Sequence, residues 1–245
     1  MLAITRLKFL EKPSIAYCAI NELLPAVMVR TPSQKLRELL ALSPYENVSQ
    51  LNQDIFALLM NGFEPGFFVE IGANDGTTLS NTIYLEECFG WQGILIEANP
   101  KYRQSLARRK KSTIVIKAVF SSKGRMEFVD AGLYGGISQM LDGTHQQYTN
   151  ECARIDVECE PLVDILNSCN APYQIDFVSV DVEGMESDIV EQIANSPYRF
   201  KFGCVEHNFR PDKYIKLTAM LRSSNYRILW EGHTLHDLFF IDGGL

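Results

Sequence analysis

With 245 residues, 46% hydrophobic and 22% charged, the chain has the make-up of an ordinary globular protein and the length for one sizeable α/β domain plus an N-terminal extension. A net charge of −7 argues against a surface that neutralises phosphates along DNA or RNA. Six cysteines without a C-x-x-C pair read as the reduced thiols of a cytoplasmic protein, and Lys8, Glu11, Lys12, Pro13, Glu22 and Pro25 interrupt any early run that approaches a membrane span.

Residues 1–50 form the extension, predicted as short helical pieces broken by Pro13, Pro25, Pro32 and Pro44. A lid, a substrate-recognition element and a homo-oligomer contact all suit it, and its sequence does not choose among them. Leu51, Ile55, Leu58 and Leu59 share one face of a helix that Asn61 and Gly62 end, so the catalytic core is placed at 51–245. From there strands at 67–71, 93–97 and 113–119 alternate with helices at 79–89 and 100–110, the last closed by the basic run Arg108, Arg109, Lys110, Lys111. Such alternation implies βαβ units and a mainly parallel sheet. Residues 121–149, with Gly132, Gly135 and Gly136, are too long for a simple connection and read either as a substrate-facing flap or as a surface hairpin. Regular alternation resumes with strands at 156–159, 175–181 and 202–206, helices at 161–169, 185–195 and 212–223, and closing strands at 226–230 and 237–241.

The most informative stretch is Val69-Glu70-Ile71-Gly72-Ala73-Asn74-Asp75-Gly76. A buried strand stops there at small residues that let backbone approach a ligand, which is the pattern of a nucleotide-type site. A dinucleotide loop places a second glycine where Asn74 stands. Asn tolerates a left-handed backbone but adds bulk and no positive charge, so a cofactor without phosphates fits better, and S-adenosylmethionine is such a cofactor. Glu97 ends the next apolar run, where a carboxylate accepts bonds from ribose hydroxyls. An NAD-type oxidoreductase is the weaker reading.

In the C-terminal half two strands end in polar residues: Asp181, Glu183 and Glu186 after one, Glu206, His207 and Asn208 at the other. Ligands of open parallel sheets lie beyond these strand ends. Methyl transfer to a hydroxyl needs the acceptor proton removed, and two solutions are open: His207 as general base, or Mg²⁺ held by Asp181, Glu206 and Asn208. Asp181 and Glu183 also suit the start of a helix, and His207 also suits a structural histidine. A scaffold that keeps the fold without catalysis is a further rival.

Taken together, these motifs resemble the FkbM family of S-adenosylmethionine-dependent methyltransferases. The likeness rests on Gln53-Asp54, residues 68–76, Gly93 to Pro100, Ala118-Val119-Phe120-Ser121 with Gly124, the D-V-E-G-M-E run from Asp181, and Val205-Glu206-His207. It implies a Rossmann-like class I methyltransferase fold: a seven-stranded, mostly parallel sheet with helices on both faces and a C-terminal antiparallel hairpin. It also implies O-methylation of sugars, glycans or glycosylated natural products. Carried onto this chain, Glu70, Gly72, Ala73, Asn74 and Gly76 line the methionine and ribose, Glu97 with Ala98 holds the ribose, Ala118 flanks the adenine, and Asp181 sits between methionine and acceptor.

Overall fold

A computed structural model describes residues 49–141, 146–231 and 234–244. The helical extension expected at 1–50 therefore lies outside the described residues, apart from its last two. In chain order the elements are α1 (Gln53–Met60), β1 (Phe67–Ile71), α2 (Ile83–Phe89), β2 (Gln92–Glu97), a 3-10 turn at Pro100–Tyr102 running into α3 (Arg103–Leu106), β3 (Ser112–Ile116), β4 (Ala118–Val119), β5 (Gly124–Asp130), a 3-10 turn at Gly132–Tyr134, and β6 (Gly136–Ile137). There follow α4 (Gln146–Thr149), β7 (Ala153–Glu160), α5 (Leu162–Ser168), β8 (Gln174–Val180), α6 (Glu186–Ala194), β9 (Arg199–Glu206), α7 (Pro211–Ser223), β10 (Tyr226–Leu229) and β11 (Asp237–Asp242).

Seven strands form one sheet in the order β10-β11-β9-β8-β1-β2-β3. β2, β1, β8 and β9 run parallel, whereas β11 is antiparallel to both β9 and β10. Successive side chains on a strand face opposite ways, and the sequence makes both ways apolar. Val69, Ile71, Ile94, Ile96 and Val205 pack on one face with Leu162, Ile189 and Leu217 of α5, α6 and α7. Phe68, Leu95, Phe177 and Phe202 pack on the other with Phe56, Leu85 and Leu106 of α1, α2 and α3. Burial on both faces is why these strands read as continuous apolar runs instead of alternating ones.

The predicted strand at 113–119 is interrupted at Lys117. β3 stays in the main sheet, while β4 joins a second sheet of order β4-β7-β5-β6. Much of the stretch read as a flap is thus regular: β5 pairs with β7 along its whole length, from Gly124 opposite Cys159 to Asp130 opposite Ala153. Phe128, Ile137 and Val157 of this second sheet share one core with Val69 and Ile96 of the first. The helix expected at 79–89 starts only at Ile83, because the preceding residues are spent on side-chain bonds to Glu70. The predicted helix at 100–110 shortens to the 3-10 turn and α3.

Among the described residues Cys88, Cys152, Cys159, Cys169 and Cys204 are free thiols. No helix among them is long and apolar enough to cross a membrane.

Candidate active site

The carboxyl ends of β1, β2, β8 and β9 open into a cavity of about 300 Å³, closed on the far side by Phe128, Leu133, Tyr134 and Ile137 from the second sheet and its turn. Glu70, Gly72, Ala73, Asn74, Glu97, Ala98, Ala118, Asp181, Glu206 and Asn208 all line it. Residues spread over 139 positions of sequence thus reach one crevice, as the strand order requires.

The loop after β1 is built by backbone economy. Gly72 and Ala73 donate their N–H groups to Ile96 O at 2.9 and 3.1 Å. Asn74 adopts φ 48° and donates its backbone N–H to Glu97 Oε2 at 2.8 Å, while Glu97 Oε1 accepts from Asn99 N at 2.7 Å. Glu97 is therefore fixed by two backbone donors, and burial raises its pKa above the ordinary carboxylate value. At Gly72, with φ +91°, an added Cβ would stand 1.7 Å from the backbone oxygen of Asp181. Only glycine lets the β1 and β8 loops meet there.

Glu70 has another task. Its carboxylate accepts from Asn81 N at 2.8 Å and from the hydroxyls of Ser80 and Thr82, so it anchors the loop before α2. Arg109 completes that anchor, buried, with bonds to Glu86 (2.8 Å), Gly76 O (2.8 Å) and Thr82 Oγ1 (3.0 Å). Gly76 is held by this network and packs on Leu106, outside the cavity lining. Sequence reasoning missed both Arg109, which it read as a helix-end cation, and Asn81, a buried lining residue whose Oδ1 has no partner among the described residues.

At the other end of the crevice Asp181, Glu183 and Glu206 each bring a carboxylate oxygen within 4.8 Å of the others. Asp181 opens to the cavity, and its pKa is pushed up to about 7, chiefly by desolvation and then by the negative charges of Asp237 and Glu186. Glu206 is more deeply buried; desolvation first, then Asp181 and Glu183, push it up to about 10. Glu186, at the start of α6, holds the loop beneath them: it accepts from Val182 N (3.3 Å) and Gly184 N (3.2 Å) and pairs with Lys213 at 2.7 Å. Capping of this loop falls to Glu186, while Asp181 stays open to the crevice. Gly184, at φ +130°, lies against the backbone of Met140, which ties this acidic loop to the second sheet's turn.

His207 is not brought to the cavity. Its ring packs edge-on against Tyr214, 5.2 Å between centroids, and burial together with Lys213 lowers its pKa. Adjacent residues at a strand end point to opposite sides, so with Glu206 facing inward, His207 faces away. Glu183 joins Asp181 and Glu206 in the converging carboxylates, and Asn208 lines the same crevice with φ 51°.

Does the crevice suit the adenosyl cofactor that the loop implies? An acid gripped at the end of β2, apolar Ile96, Ala98, Ala118 and Val119 beside it, and two buried acceptor atoms with no described partner, Asn81 Oδ1 and Glu206 Oε2, belong to one lining. That lining complements a flat adenine and a cationic sulfonium and ammonium. The residues fit.

A mostly parallel sheet whose reversed last strand, β11, is inserted between β9 and β10, with its crevice at the ends of β2, β1, β8 and β9, is a class I methyltransferase fold. The family model for the methyltransferase FkbM domain matches residues 70–228, well over half of the chain. The chain belongs to that family, and with it to the S-adenosylmethionine-dependent methyltransferases. Solved structures similar in fold include methyltransferase FkbM from Methylobacillus flagellatus KT (15% identity, 93% of this chain and 58% of that one, TM-score 0.48). Others are precorrin-6y C5,15-methyltransferase from Geobacter metallireducens GS-15 (13%, 81% and 90%, 0.43) and an S-adenosylmethionine-dependent O-methyltransferase from Thermotoga maritima (9%, 90% and 72%, 0.45). The chain spans a little over half the length of the Methylobacillus protein. No curated protein matches it.

Proposed function

We propose that the protein is an O-methyltransferase acting on a hydroxyl of a sugar, a glycan or a glycosylated natural product, with Asp181 as the base that receives the hydroxyl proton. The observation that carries this reading is the position of Asp181: it opens to the crevice one strand from the Gly72 loop, with a pKa near 7. A general base works best when its pKa lies near the operating pH.

When bound, S-adenosylmethionine supplies a methyl group on a positively charged sulfur. Glu97 holds the ribose hydroxyls, Asn81 Oδ1 accepts from the methionine ammonium, and the wall of Ile96, Ala98 and Ala118 takes the adenine. Neighbouring strands lie about 4.8 Å apart. From β2 to β9 the crevice therefore runs roughly 14 Å, length for an adenosyl group at one end and an acceptor at the other. The bound cofactor would supply its methyl group to the acceptor oxygen, and Asp181 would take the hydroxyl proton. Five lining carboxylates (Glu70, Glu97, Asp181, Glu183, Glu206) and a net charge of −7 disfavour an acceptor rich in phosphate.

Calorimetric titration with S-adenosylhomocysteine and with NAD⁺ tests the cofactor half: binding of the first is expected, and binding of NAD⁺ alone would overturn the reading. Labelled methyl transfer across a panel of hydroxylated sugars, with the product assigned by NMR as an O-methyl ether, tests the acceptor half. With Asp181 as base, turnover should persist in EDTA; loss in chelator and recovery with Mg²⁺ would return the role to a metal ion.

A further inference from the structure

We propose that Phe209 determines specificity as the platform on which the acceptor's ring stacks, so that the compound methylated here offers the C–H face of a pyranose beside the hydroxyl that receives the methyl. This rests on the methyltransferase reading above and names the residue that selects its acceptor.

Phe209 sits in the tight turn that follows β9. The backbone N–H of Arg210 donates to His207 O at 3.0 Å, and the two central residues, Asn208 and Phe209, take φ 51° and 56°. Positive φ at both centres with that closing bond is the pattern of a type I′ turn, whose second centre is ordinarily glycine. For a bulky residue such a backbone is an outlier. The turn is pinned in place, because His207 and Asn208 both donate their N–H groups to His236 O, at 2.7 and 3.0 Å. A phenyl group therefore stands where glycine would close the turn with less strain.

Folding gains little from that ring. Phe209 is 64% exposed, lines the crevice, and meets the His236 ring edge-on at 5.7 Å between centroids. Strained backbone that carries an exposed aromatic side chain into a crevice points to a ligand contact, because neither the strain nor the exposure serves packing.

Position and neighbours select the ligand. β9 runs beside β8 with Val205 opposite Val180, so the turn leaves the sheet just past Glu206 and next to Asp181, three strands from Glu97 on β2. Phe209 thus belongs to the acceptor end. Gln50, Asn208 and His236 line the crevice with it, the His236 ring nitrogen Nε2 lying 3.0 Å from Gln50 Oε1. Polarised C–H groups seat on the negative face of an aromatic ring, while uncharged amides and imidazole exchange hydrogen bonds with hydroxyls. A pyranose joins one C–H face to a hydroxylated edge. An open-chain polyol has the hydroxyls without the fixed face.

The test uses the full chain loaded with S-adenosylhomocysteine, probed by saturation-transfer NMR with two pairs: methyl β-D-glucopyranoside against sorbitol, and methyl β-D-galactopyranoside against galactitol. At least one pyranoside is expected to bind with a Kd tenfold or more below that of its open-chain counterpart, with saturation strongest on the protons of one ring face. Phe209→Gly should erase that preference, keep S-adenosylhomocysteine affinity within about twofold, and melt at or above the temperature of the parent, since glycine suits the turn. Phe209→Tyr should retain the preference. Equal affinity within both pairs, absence of binding by either pyranoside, a preference that survives Phe209→Gly or is lost in Phe209→Tyr would overturn the platform. So would a lower melting temperature in Phe209→Gly, the mark of a ring that packs within the fold, or a larger change in its S-adenosylhomocysteine affinity, the mark of a cofactor contact. Failure of the parent chain to bind S-adenosylhomocysteine at all would instead bring down the methyltransferase reading, so the two failures are distinct.

Discussion

The backbone N–H of Asn74 points at Glu97 Oε2 from 2.8 Å, so the loop after β1 and the acid at the end of β2 form one rigid unit. Replacing Glu97 by Ala removes the acceptor for both Asn74 N, which is partly buried, and Asn99 N, which is buried. We expect a loss of about 1–3 kcal/mol in stability and at least tenfold weaker S-adenosylhomocysteine binding. Calorimetry on the folded variant checks both, and unchanged affinity would exclude a ribose role for Glu97.

Gly72→Ala should be worse than any substitution in the crevice that only removes a contact. The new methyl would overlap the Asp181 backbone oxygen and would need a φ of +91°. Relief requires moving β8 away from β1, which we expect to cost about 3 kcal/mol or more. Urea unfolding measures it; a loss under 1 kcal/mol would show that the two loops separate freely.

Asp181 yields a paired prediction in activity and stability. As a base it works ionised, so kcat/KM should rise with pH through about 7 and level off above it. Asp181→Asn should lower kcat on the order of 10²-fold or more. Folding stability runs the other way. Because the folded pKa is raised above the ordinary value of 3.8, the group's contribution is complete below that value and is lost as pH climbs through about 7. At pH 8 Asp181→Asn should therefore be more stable than the parent by about 1 kcal/mol, a figure discounted for the solvent that reaches the side chain, with no gain at pH 4. Thermal melts at the two pH values read this directly.

His207→Gln tests the imidazole base considered from the sequence against the Asp181 base proposed here. The ring lies against Tyr214 and outside the crevice, so kcat should stay within about threefold of the parent. A drop comparable with that of Asp181→Asn would place the imidazole on the reaction path.

Arg109→Ala should destabilise the fold by about 3–5 kcal/mol, the usual penalty for stranding one member of a buried ion pair. Its guanidinium is 2.8 Å from Glu86 and holds Gly76 O and Thr82 Oγ1. Glu86→Gln combined with Arg109→Met should recover part of that loss in chemical denaturation, because no buried charge is then left alone.

Much of this architecture was legible along the chain because the strands of the main sheet are buried on both faces and end in acids. Glu70, Glu97, Asp181 and Glu206 stand at the carboxyl ends of four strands, and strand order alone gathers them. What escaped was non-local. β5 and β7 pair Gly124 with Cys159 across a long insertion, and their outer faces are polar, so neither showed the apolar run that marked the parallel strands. Arg109 looked like a solvated helix end because nothing in its neighbourhood reveals that Glu86, 23 positions earlier, meets it in the interior. The side His207 takes was legible too: period-two alternation puts Glu206 and His207 on opposite sides, and the acid was the better candidate for the inner one.

Lys117 alone separates β3 from β4, and the turn at Met140 is locked against Gly184. The smaller sheet is thus tied to the larger one and to the acidic loop at points far apart in sequence. Exposed Leu133, Tyr134 and Phe209 stand at the rim of the crevice, so replacing those few groups is the way to alter which compounds enter without rebuilding the scaffold beneath.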